Sequence, residues 1–131
     1  MTLNDIVGAV LDRLDTGVDL LPIKYDSAAF EHNGSPYVEM IVSPRDTQIE
    51  TVDNGDLMSG FLVFNVYMPK QSGTFAAFAQ GQKFIDLFHR GLQFGGVEIT
   101  KTGTINNPVH EESWDFTPVV IEYEARSCAI P

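Results

Sequence analysis

The stretch GFLVFNVYM, Gly60–Met68, constrains this chain more than any other. Phe61, Val63 and Tyr67 alternate onto one side, and Leu62, Phe64, Val66 and Met68 onto the other. A strand that is apolar on both sides belongs in the middle of a sheet, or under cover on both faces. Pro69 has no N–H to give a ladder and closes the strand. A helical pattern follows over residues 75–90, where Ala77, Phe78, Gly81, Phe84, Ile85 and Phe88 fall within about a third of the helical circle. Phe78, Ile85 and Phe88 are therefore expected to pack this helix on the sheet.

The flanking segments complete a fold class. Residues 3–15 place Leu3, Ile6, Val7, Val10, Leu11 and Leu14 at helical spacing, with Thr2 as the N-cap, Asp5 at the capping-box position and Gly17 as the stop. No period holds from Gly17 to Pro36, and HNGSP (32–36) has the chemistry of a turn. YVEMIV (37–42) reads as a strand ended by Pro44, and TQIETVD (47–53) as a more exposed one. Asn54-Gly55 is the strongest short hairpin signal, so residues 47–52 and 57–68 are expected to pair. GGVEITKTG (95–103) reads as a strand and TGTINNPVHEES (102–113) as a long polar loop. DFTPVVIEYEAR (115–126) turns Val119, Ile121 and Tyr123 inward and Glu122, Glu124 and Arg126 toward water. The order predicts a single α+β domain over residues 1–131: a mostly antiparallel β-sheet with helices packed on it and a projecting β-hairpin arm.

Charge and motif chemistry narrow the function. The net charge is −10, with 11 acids against 3 bases in residues 1–60 and 7 against 5 in residues 61–131. Such a balance repels polyanions, so specific nucleic-acid binding is not expected. Cys128 is the single cysteine, which leaves no internal disulfide and no multi-cysteine metal site. The N-terminal stretch has no basic n-region, and no apolar run approaches the ~20 residues that cross a bilayer, so no membrane role is expected and the reading is of a cytoplasmic protein. The strand–loop–helix passage at 60–90 has the outline of a phosphate site. Yet PKQSGT offers one glycine and no Gly-Lys-Ser/Thr, so a P-loop cannot form. HEESWD (110–115) gathers His110, Glu111, Glu112 and Asp115, but it has one histidine where a helical zinc site needs two, and its plainer reading is a polar turn anchored by Trp114 and Phe116. Neither Cys128, Ser59 nor Ser72 has the setting of a nucleophile. No catalytic residue, cofactor or metal is expected, and the chain reads as a non-enzyme.

The helix, the SPYVEMIV strand, the hairpin arm, the junction from Val66 to Thr74 (VYMPKQSGT) and the closing polar loop with its aromatic strand together resemble the small tail terminator proteins of long-tailed bacteriophages and prophages, also called tail completion or minor tail proteins. The similarity spans nearly the whole chain. It implies an α+β subunit that assembles into a ring, typically a hexamer, caps the tail tube, stops its polymerisation and presents a surface to the head. Its partners would be further copies of itself, the tail tube protein and a head–tail joining protein, with DNA passing through the lumen. It would sit in the host bacterial cytoplasm during assembly and then in the virion tail. The family has no catalytic residues to carry over. The residues placed at contacts are Arg45, Asp46, Gln48, Glu50 and Asp56 on the arm, and His110, Glu111, Glu112 and Trp114 on the loop. Two alternatives stay open: another neck or head–tail joining protein, and a small ligand-binding or enzymatic domain using loop 102–116.

Overall fold

The computed structural model describes residues 3–25, 35–45, 48–49, 56–70 and 73–127, and the side chains of all of these except residues 48, 49, 56, 57, 126 and 127. Its core is a ribbon of two 14-residue strands, β4 (Asp56–Pro69) and β9 (Trp114–Ser127), paired antiparallel from Asp56↔Ser127 to Pro69↔Trp114. β4 is central, as its two-sided apolar pattern requires. β2 (Tyr37–Pro44) pairs antiparallel on its other edge, and β3 (Gln48–Ile49) continues that edge at Leu57 and Asp56. The two expected segments therefore do pair at Gln48↔Leu57 and Ile49↔Asp56, but in a register four residues away from the one a two-residue Asn54-Gly55 turn would set, 52 opposite 57; Asn54-Gly55 itself lies outside the described residues. β1 (Ile23–Tyr25) adds to β2 in parallel. Three residues are too few to show a period, which is why the sequence between Gly17 and Pro36 gave no sign of it.

The far edge of β9 departs most from expectation. β6 (Val97–Ile99) pairs with residues 123–125, β7 (Thr104–Ile105) with 119–120 and β8 (Val109–His110) with 115–116. The polar loop at 102–113 is thus a broken strand running down β9. Between Ile99 and Thr104 it advances five residues while β9 advances three, and the excess forms a bulge. The expected strand at 95–103 is cut to β6 because residues 93–94 fold back as β5 (Gln93–Phe94) through Gly95-Gly96. Both glycines have positive φ, 52° and 84°, the form a two-residue hairpin turn requires.

α1 (Leu3–Leu14) and α2 (Thr74–Leu87) contribute to one core. Thr2, the expected N-cap, is not among the described residues. Ile6, Val7, Val10 and Leu14 of α1 and Ala77, Phe84 and Ile85 of α2 are buried with Leu62, Phe64, Val66 and Met68 of β4 and Val119, Ile121 and Tyr123 of β9. The ring of Phe64 stacks on those of Phe84 and Phe88, at 4.5 and 5.5 Å between centroids. Gly81 brings α2 close to the sheet: a Cβ there would lie 3.0 Å from Val119 Cγ2 and 3.3 Å from Ile105 Cδ1. One expectation fails on this face. Phe78 is 40% exposed and Phe75 86%, so neither is core, whereas Ile85 and Phe88 are. Phe78 stands about 80° around the helix from Phe88, at the margin of the buried stripe.

Candidate functional site

Strand alternation puts α1 and α2 on one side of the sheet, and among the described residues no helix lies on the other side. The second side carries Tyr37, Glu39, Ile41 and Ser43 of β2, Phe61, Val63, Asn65 and Tyr67 of β4, and Trp114, Phe116, Pro118, Val120 and Glu122 of β9. The register aligns them in rows: Tyr37–Tyr67–Phe116, Glu39–Asn65–Pro118, Ile41–Val63–Val120 and Ser43–Phe61–Glu122. Most are half-buried by their neighbours, and Ile41 is 40% exposed. Two rows of the face, Tyr37–Tyr67–Phe116 and Ile41–Val63–Val120, are apolar or aromatic, and polar side chains stand in the other two.

One end of this face is aromatic. The rings of Tyr37 and Tyr67 stack at 4.7 Å and 1°, Trp114 meets Tyr37 edge-on at 5.6 Å, and Phe116 lies 5.1 Å from Tyr67. Burial, with the carboxylate of Glu39 adding to it, pushes the Tyr67 phenol up to about 12. The field of Glu111 also raises Tyr37 and Tyr67, which sets its carboxylate near this end. The Glu111 amide donates to the Trp114 carbonyl at 2.8 Å and closes the turn between β8 and β9, leaving Glu111 and Glu112 exposed. Beside the turn, Lys70 Nζ and His110 Nδ1 both lie 2.8 Å from Asp115 Oδ1. Hydrogen bonds from Lys70 and then His110 hold the Asp115 carboxyl below the usual carboxylate range. A cavity of about 230 Å³ opens there between Met68, Ala77, Pro108 and Thr117.

The other end is cationic. The Arg45 guanidinium sits 4.4 Å over the Phe61 ring, with Nη1 3.4 Å from Glu122 Oε1. Lys101 Nζ approaches the other oxygen of Glu122 at 3.5 Å. The Glu122 side chain, expected to be solvated, is 20% exposed and lies between two cations. A small hollow of about 90 Å³ lies among Phe61, Lys101, Thr102, Thr104, Val120 and Glu122.

The residues singled out in the sequence thus divide into two groups along the β4–β9 ribbon. Arg45 belongs to the cationic end. Gln48 and Asp56 are paired in the ladder near Leu57 and Ser127, with side chains outside the description, and Asp46 and Glu50 lie outside the described residues. His110, Glu111, Glu112 and Trp114 sit at the opposite end but not on one face: His110 lies with Asp115 on the helix side, and Trp114 lies against Tyr37 on the open side. Sequence reasoning missed Lys101, Lys70 and the exposed phenylalanines. The last had a signal: Phe75 is nine positions from Phe84, about 180° around a helix. The lysines had none, because their carboxylates lie on a distant strand. Among the described residues, no three His, Cys, Asp or Glu side chains come together as a metal-ligand set. No described helix is long and apolar enough to cross a membrane.

The sequence matches the family described as phage tail terminator protein over residues 5–123. A solved structure whose name carries no functional description superposes with a TM-score of 0.76 over 95% of this chain and 96% of its own. The two are 20% identical, so that likeness speaks to the fold alone. No curated protein matches the sequence.

Proposed function

Because the chain belongs to the phage tail terminator family, and so is a structural protein of the phage tail, we propose that it forms the ring that caps the tail tube, stops tube polymerisation and presents the surface on which the head docks. The observation that carries this reading is the family match, which runs through nearly every element of the fold from α1 to β9. Three features support it. The chain has a net charge of −10, which suits a channel that DNA must cross without sticking. Among the described residues, one face of the sheet carries no helix and includes the apolar row Ile41–Val63–Val120. Arg45 and the Glu111–Glu112 turn lie at opposite ends of one ribbon, which suits a ring of identical copies, since that needs two unlike patches on each copy. The ring is a hexamer in this reading, its members work without catalysis or cofactor, and its neighbours are the tail tube protein and a head–tail joining protein.

The test is genetic and structural. Deleting the gene from its phage is expected to give overlong tubes or tails without heads, and supplying the full-length protein in trans is expected to restore tails of normal length joined to heads. Electron microscopy of the particles reads both outcomes. Normal, head-joined tails in the deletion would refute the assignment.

A further inference from the structure

The cationic end of the open face and the Glu111–Glu112 turn have opposite electrostatic needs. At the first, Arg45 and Lys101 share one carboxylate, Glu122, and both remain open to solvent, with side-chain exposures of 52% and 73%. Among the described residues, the next acids along the face, Glu98 and Glu124, oppose each other one row further on, toward the β5–β6 hairpin. Below the cations lie the Phe61 ring and Val120, an apolar floor that strengthens a charge contact by excluding water. At the other end, Glu111 and Glu112 are adjacent and exposed, while Lys70 and His110, at the same end of the ribbon, both lie against Asp115.

Among the described residues, the two ends do not meet within one chain. Glu122 and Trp114 are eight positions apart on β9, about 26 Å of extended strand. The β8–β9 turn is pinned to Trp114 by the Glu111 amide, so it cannot swing across that distance. A second copy can bring the turn there.

We propose that in the ring the Glu111–Glu112 turn of one copy docks on the Arg45–Lys101 end of the open sheet face of the next, covering the Ile41–Val63–Val120 row. This rests on the ring reading above and adds to it which surfaces meet. The contact is heterologous, so each copy gives its turn to one neighbour and its sheet face to the other, and the chain of contacts closes on itself. Charge at the two patches fixes which surfaces pair, and the apolar row supplies the buried area.

Charge reversal with rescue tests it. Full-length protein is added to tail tubes assembled without it, the complexes are cross-linked, and the mass of the tube-bound oligomer is read. Lys101→Glu alone, and Glu111→Lys with Glu112→Lys alone, are each expected to reduce the oligomer at least about tenfold, because like charges now meet. All three positions are exposed, and unchanged melting temperatures show that folding is intact. Lys101→Ala, which removes the cation without adding an acid beside Glu122, is expected to weaken assembly in the same direction. An equimolar mixture of the two reversed proteins is expected to restore rings, since each inverted patch then faces its complement. If wild-type protein binds tubes only as single copies, the ring reading falls and this contact with it. If the wild type forms rings and the reversed proteins do too, the contact alone is refuted. A mixture that fails to rescue, or a rescued particle that stops at two copies, also overturns it.

Discussion

Two phenylalanines on one helix give a sharp measure of how this fold is held. Phe84 is 0% exposed, and its ring stacks on Phe64 with centroids 4.5 Å apart and planes 18° apart. Phe84→Ala removes a buried ring and leaves a cavity between α2 and the centre of β4, a change that costs about 3–5 kcal/mol, of which the stacked pair accounts for about 0.5–1.5 kcal/mol. A domain of this size has about 5–15 kcal/mol in all, so the variant stands near the edge of folding. At roughly 3–5 °C per kcal/mol, the melting temperature should fall by about 10–20 °C. Phe75→Ala deletes the same side chain from the same helix where it is 86% exposed, and should move stability by no more than about 0.5 kcal/mol. Urea unfolding followed by tryptophan fluorescence, with calorimetry beside it, measures both. Equal shifts of midpoint for the two variants would mean that α2 does not lie on the sheet through the stripe described, and the packing argument would fail.

Two further outcomes follow from particular atoms. The Tyr123 hydroxyl is buried and has no hydrogen-bond partner among the described residues, so Tyr123→Phe should leave stability unchanged or raise it by up to about 1 kcal/mol; a loss of that size in the urea midpoint would show that the hydroxyl is in fact bonded. The carboxyl of Asp115 is held below its usual range by Lys70 and His110, so its contribution is fully present above about pH 4 and is lost as pH falls through the lowered folded value. Asp115→Asn should therefore flatten the fall in stability below about pH 4, and identical acid slopes for variant and wild type would contradict the pairing.

The sequence by itself determined the elements whose pattern is long and local. Gly60–Met68 is apolar on both sides and lies at the centre of the sheet. Leu3–Leu14 is helical because its apolar stripe has the right period, and the alternation at 115–126 chose correctly which side of β9 is buried. The family resemblance was legible too, since it rests on the order of those elements. Tertiary structure decided whatever depends on a partner far away in the chain. Residues 104–105 and 109–110 are strand only because β9 offers an open edge, and β1 exists only because β2 does. The same holds for charge. Glu122 reads as a solvated acid in a strand, yet Arg45, 77 positions earlier, and Lys101 across the bulge enclose it. Local periodicity reports which way a side chain points, through the geometry of its own helix or strand. Which charge it meets there depends on strand register across the sheet, and that is fixed only when the whole fold closes.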